Sequence, residues 1–200
     1  LDNANFSRAS GEYATFTRAQ MVRVRAEQAK FDHADFTEAN LERAFFEFAA
    51  LANAQFSKCR GLRASFVGSY IEGASFPGAL LSHASFADTR GNKPMFEGAN
   101  LDDADISHAE LPDAFFTKIS GSSASFVCAN LPRARFYKAK LDHADATRAN
   151  LFQADFSYAA MSHAKFVEAN LYETNFNSAR GQDANFLDAN LKRSTLETST

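Results

Sequence analysis

A solenoid is the fold class this sequence predicts, and two observations carry it. Apolar residues recur at every fifth position over all 200 residues, and no insertion or deletion breaks the phase. In blocks of ten, Leu or a substitute stands at positions ending in 1, Phe at positions ending in 6, and Ala at positions ending in 4 and 9. Phe fills 16 of its 20 places, the exceptions being Ala26, Ile106, Ala146 and Leu196, and Ala fills 31 of 40. A period of five would rotate apolar side chains around a helix of period 3.6 or a strand of period 2. The repeat is therefore itself the structural unit, too small to bury its apolar face alone and obliged to stack on its neighbours.

The units read Ala34-Asp35-Phe36-Thr37-Glu38, Ala39-Asn40-Leu41-Glu42-Arg43, Ala99-Asn100-Leu101-Asp102-Asp103 and Ala189-Asn190-Leu191-Lys192-Arg193. This pattern resembles the pentapeptide-repeat family. The resemblance implies an all-β fold, a right-handed quadrilateral parallel β-helix of four pentapeptides per 20-residue coil and about ten coils. One domain is expected over 1–200, with the last coil fading over 194–200 through Ser194, Leu196 and Ser199. Strands in a sheet lie ~4.8 Å apart, so such a rod is on the order of 45 Å long, with residue n beneath residue n+20. Each buried Phe contributes roughly 1.5–3 kcal/mol, enough in sum to oppose the ordering entropy without a disulfide or metal.

Composition narrows the function classes. Net charge is −3, no apolar run approaches the ~20 residues of a membrane span, and the start has no basic-then-apolar leader pattern. A cytoplasmic protein without membrane contact or direct nucleic-acid binding is expected. Cys59 falls on an inward small-residue position and Cys128 on an outward one more than three coils away, which speaks against a disulfide. No amphipathic helix is read at either end to cap the stack. The expectation is a segment of a longer chain, or ends covered by a partner, by a second copy or by end-to-end stacking.

Departures from the pattern are read first as packing. Gly replaces the central apolar residue at Gly11, Gly61, Gly91, Gly121 and Gly181, and a large neighbour such as Phe31 over Gly11 is expected to fill the space. Ala26 and Ala146 are read the same way. Gly68, Gly73 and Gly78 on successive corners, and Pro77, Pro112 and Pro132 one place earlier in their units, read as turn residues.

No catalytic or metal-binding constellation emerges, so neither an enzyme nor a cofactor is expected. His33, His83, His108, His143 and His163 all occupy the second variable position, and only His143 and His163 stack one coil apart, with Asp183 the sole plausible third ligand. Candidate partner-binding features are surface patterns. Glu97, Asp102, Asp103, Asp105, Glu110 and Asp113 form an acidic belt, followed by a basic belt of Arg133, Arg135, Lys138, Lys140 and Arg148. Arg23, Arg43 and Arg63 stack in one column, an unfavourable arrangement that Glu42 or an anionic partner would relieve. Val67, Ala87, Val127, Val167 and Leu187 form an outward apolar stripe, interrupted by Ser107 and Thr147, with Phe45 and Phe48 near its N-terminal end.

These features favour a non-catalytic structural or docking module that binds a protein partner or flanking domains. The alternative is a DNA mimic like the family's gyrase-binding members, whose surface is strongly negative. Near-balanced charge and the lack of a projecting loop argue against it, and the acidic belt alone argues for it.

Overall fold

In the computed structural model, which describes residues 1–195, the chain winds into a β-solenoid with a repeat of 20 residues. Every fifth residue pairs in parallel with the residue 20 later, from Asn5 with Arg25 to Asn175 with Thr195. Each pentapeptide contributes one such bridge and then turns, so pairing never extends into a long strand. Four pentapeptides make one circuit and define four faces. Face I is centred on Met21 and Leu41, face II on Phe46 and Phe66, face III on Phe31 and Leu51, and face IV on Phe36 and Phe56. The expected fading of the last coil lies outside the described residues beyond Thr195.

Within one unit, the backbone satisfies itself in a fixed pattern. Phe36 N–H donates to Gln55 C=O at 2.7 Å, Glu38 N–H to Ser57 C=O at 2.8 Å, and Ala39 N–H closes the turn on Phe36 C=O at 3.0 Å. Every position ending in 3 or 8, from Asn3 to Arg193, has a φ between +54° and +66°. Left-handed corners are thus a property of the coil, not of the few glycines that mark it in the sequence. Pro77, Pro112 and Pro132 precede such corners, where the fixed φ of proline suits a turn with positive φ at its next residue.

The frequent Asp or Asn before the central residue has a local cause. Asp35 Oδ1 accepts the N–H of Thr37 at 2.8 Å, Asn100 Oδ1 that of Asp102 at 2.9 Å and Asp155 Oδ1 that of Ser157 at 2.9 Å. This side-chain turn orients the chain into the corner. The same amide groups run up the rod as a ladder on face III: Asn150 donates to Asn130 at 2.8 Å, Asn170 to Asn150 at 2.9 Å and Asn190 to Asn170 at 3.1 Å. Thr17 and Thr37 lie in one column, where the sequence suggests a ladder of hydroxyls, but Thr17 does not bond to Thr37. Its Oγ1 donates instead to Asp35 at 2.8 Å.

Face IV carries an unbroken stack of phenylalanines from Phe16 to Phe176, with ring centroids 4.6 to 5.4 Å apart and planes nearly parallel. Phe46, Phe66 and Phe86 of the opposite face meet this stack edge to face, as at Phe56 and Phe66, 5.5 Å apart at 89°. Aromatic pairs favour both geometries. The alanines fit between, as at Ala34, Ala54 and Ala74, all fully buried.

Filling of the glycine gaps follows the packing expectation at four of five sites. A Cβ built on Gly11 would lie 2.5 Å from Phe31, on Gly61 2.8 Å from Leu81, and on Gly121 and Gly181 3.2 Å from Leu141 and Met161. Gly91 departs from it. Its φ is +144°, and a Cβ there would fall on the backbone of Ile71 and Glu72. Pro94, three residues later, has no N–H to close the turn on Gly91, so this unit lacks the turn bond of the others.

Ala146 also departs from it. Ala26 is fully buried because Phe31 occupies the neighbouring place in its own coil, whereas Ala146 has only Leu151 there. A small apolar cavity of ≈ 10 Å³ remains beside Ala146, between Phe126, Phe136, Leu151 and Phe166. Among the described residues, no helix is long and apolar enough to cross a membrane.

Candidate docking surfaces

The acidic belt does not gather on one face. Glu97 lies on face IV, Asp102 and Asp103 on face I, Asp105 on face II, and Glu110 and Asp113 on face III. Each is engaged within the rod. Asp113 accepts two hydrogen bonds from Arg133, both at 2.8 Å, which hold its carboxyl below the usual value and raise the guanidinium in turn. Glu97 pairs with Lys118 at 3.3 Å, Glu110 with Arg90 at 4.0 Å, and Asp103 with His83 at 3.8 Å. Asp102 Oδ1 accepts from Ser122 N–H at 2.9 Å and Ser120 Oγ at 2.8 Å, and Asp105 Oδ1 from Ser107 N–H at 3.0 Å.

Most of the basic belt is engaged likewise. Arg148 donates to Glu168 at 2.7 Å, Arg135 lies over the ring of Phe115 at 4.8 Å, and Lys138 over Tyr137 at 5.1 Å. Pairing from one coil to the next recurs at Arg18 with Glu38 and at Arg193 with Glu173. Exposed pairs of this kind are worth about 0–1 kcal/mol each. Their larger effect here is to break any continuous stripe of one sign.

In the arginine column, Arg43 reaches Glu42 at 3.9 Å, and no ion pair involves Arg23 or Arg63 among the described residues. His143 and His163 stack at 4.9 Å, with His163 Nδ1 3.8 Å from Asp183. Among the described residues no group of three or more His, Cys, Asp or Glu is placed to hold a metal ion. Cys59 is buried, which pushes its thiol up to about 12, and both cysteines are free.

The apolar stripe falls on face II in one column, interrupted by Ser107 and Thr147. Val67, Ala87, Val127 and Val167 are half-buried there, and Leu187 is exposed. Phe45 and Phe48 flank its N-terminal end, 40% and 63% exposed. The ring of Phe48 lies against Gly68, where a Cβ would come within 2.5 Å of Cε1. Between the two phenylalanines stands Glu47, which sequence reasoning passed over. Its Oε2 is shielded from solvent and has no hydrogen-bond partner.

Against this geometry the sequence comparisons are unambiguous: a family model for a pentapeptide repeat region matches residues 39–116, and one for eight-copy pentapeptide repeats matches 99–136, 129–166 and 161–197. The chain belongs to the pentapeptide-repeat family. Two solved members are similar in fold. HetL, a pentapeptide-repeat protein involved in heterocyst differentiation regulation in the cyanobacterium Nostoc, is 23% identical with a TM-score of 0.60, covering 98% of this chain and 89% of HetL. QnrB1, a plasmid-mediated fluoroquinolone resistance protein, is 17% identical in a trypsin-treated variant form with a TM-score of 0.54, covering 100% of this chain and 84% of QnrB1. No curated protein matches the sequence.

Proposed function

We propose that this pentapeptide-repeat chain is a non-catalytic docking module, a right-handed quadrilateral solenoid of about ten coils that holds a protein partner or flanking domains against a flat face. The observation that carries this reading is the contrast between surfaces. Polar and charged side chains bond coil to coil within the rod, while the face II column of Val67, Ala87, Val127, Val167 and Leu187 offers apolar area that such bonding does not use. An outward apolar stripe on a flat face is the feature a partner chain covers most favourably. The setting that suits the composition is the cytoplasm.

The second reading, a DNA-mimicking ligand of gyrase, draws on the acidic belt. Distribution of that belt over four faces, and its pairing with Arg90, Lys118 and Arg133, weighs against it, since an enzyme that reads DNA meets a line of phosphate charge. Val127→Lys together with Val167→Lys tests the docking reading. Weakened self-association by sedimentation, or weakened partner capture, is expected from the pair. Unchanged sedimentation and capture would remove face II from consideration.

A further inference from the structure

We infer that the stacked corner arginines of face I, Arg23, Arg43 and Arg63, take the carboxylates of an acidic segment on a protein partner, an assignment that rests on the docking role proposed above and adds a contact on a second face. Elsewhere the rod follows a rule for an arginine at a left-handed corner: its guanidinium bonds an acceptor one coil away in its own column. Arg8 donates to Gln28 at 3.1 Å, Arg18 to Glu38 at 2.7 Å, Arg133 to Asp113 at 2.8 Å, Arg148 to Glu168 at 2.7 Å and Arg193 to Glu173 at 3.1 Å. Face I breaks that rule. Its corner column runs Arg23, Arg43, Arg63, each 20 residues from the next, so every one of the three has another arginine beside it. Like charges in adjacent strands are unfavourable.

Little within the rod offsets that cost. Over residues 20–23, 40–43 and 60–63 this face carries Arg23, Arg43, Arg60 and Arg63 against a single carboxylate, Glu42, which reaches Arg43 at 3.9 Å. Among the described residues, no side-chain hydrogen bond or ion pair holds Arg23, Arg60 or Arg63. The patch is a local excess of positive charge on a chain whose net charge is −3. It also exposes apolar area: Leu80 pairs with Arg60 from the next coil and is 53% exposed, and Leu62, two residues from Arg60, is 41% exposed. Guanidinium forks match carboxylates, while the leucines offer surface that a polypeptide covers and a free ion does not. A nucleic acid strand is a poorer match, since its repeated phosphates would meet a chain of net negative charge.

The test is an NMR titration of the intact chain with the capped peptide Glu-Leu-Glu-Leu-Glu, with Gln-Leu-Gln-Leu-Gln as the neutral control and a thymidine oligonucleotide as the polyanion control. Saturable shifts centred on Arg23, Arg43, Arg63, Leu62 and Leu80 are expected with the acidic peptide only, and binding should weaken as salt is raised. Affinity should fall about tenfold in Arg23→Gln/Arg63→Gln with an otherwise unchanged amide spectrum, and should hold in Arg148→Gln, where Glu168 already engages the guanidinium. Equal binding of the neutral peptide, an equal loss in Arg148→Gln, or no saturable shift at these residues would overturn the assignment. Tighter binding of the oligonucleotide would overturn it in favour of a nucleic acid. Failure here with a persistent effect of the Val127→Lys/Val167→Lys pair removes the face I contact alone. Loss of that effect with acidic-peptide binding intact removes the face II reading instead.

Discussion

Phe31 fills the space that Gly11 leaves one coil away: a Cβ on Gly11 would stand 2.5 Å from its Cε1. The same ring occupies the room left by Ala26 in its own coil and packs edge to face on Phe16 and Phe36, each at 5.5 Å. One side chain thus compensates two departures from the repeat. Ala26→Phe alone should overpack this coil and lower stability by about 1–3 kcal/mol, while Ala26→Phe with Phe31→Leu restores the ordinary pattern and most of the loss. Urea denaturation of the two single variants and the double variant measures the coupling. Additive losses would show that Phe31 and Ala26 do not share a space.

Ala146 lacks that compensation, and a cavity results. Ala146→Leu is expected to raise stability by about 0.5–2 kcal/mol, as cavity-filling changes commonly do. The same change at Ala26 should lower it. Thermal unfolding of both variants makes the comparison, and a destabilised Ala146→Leu would mean that the surrounding rings leave no usable room.

Left-handed corners make a third prediction. None of the 39 corner residues from Asn3 to Arg193 is Val, Ile or Thr. A β-branched side chain at positive φ clashes with its own backbone, and the left-handed conformation already costs roughly 1–2 kcal/mol for an ordinary residue. Ser123→Val should therefore destabilise the rod, and Ser123→Gly should be neutral or slightly stabilising. Equal stability of the two variants would contradict a left-handed corner at this site.

Acid should weaken the rod through its carboxylates. Donation from Arg133 holds the Asp113 carboxyl below its usual value, and donation from Thr37 does the same for Asp35. A carboxyl depressed by folding contributes stability that is present above its unfolded pKa, about 4, and is lost as pH falls through its folded value. Stability measured by urea titration is expected to drop as pH is lowered below about 4. Arg133→Gln should flatten that slope by removing the share of Asp113. A slope unchanged by the variant would show that the pair plays no part in it.

Most of the solenoid was legible because its rule is local. The inward columns and the turn role of the prolines follow from residue type at a fixed phase, and the n to n+20 register is what the family resemblance implies. The left-handed corners carried a signal as well, in the absence of β-branched residues, although only the glycines drew notice. Gly91 escaped because its positive φ goes with a turn bond that Pro94 cannot make. Ala26 and Ala146 looked alike because column position alone ignores the neighbour within the coil, Phe31 in one case and Leu151 in the other.

The candidate surfaces were legible as columns and not as contacts. Asp113 and Arg133, assigned to belts of opposite sign, turn out to bond each other. Glu47 gave no pattern of its own, since the shielding of one carboxylate oxygen depends on side-chain placement and not on column position.

A DNA gyrase supercoiling assay, with and without a quinolone, tests most directly the claim that this rod docks proteins and does not imitate DNA. The intact chain is compared with an Asp102→Lys/Asp103→Lys/Asp105→Lys variant. Neither inhibition nor protection by either protein is the predicted result. Inhibition or protection by the intact chain that disappears in the variant would contradict the account and establish mimicry on the acidic belt.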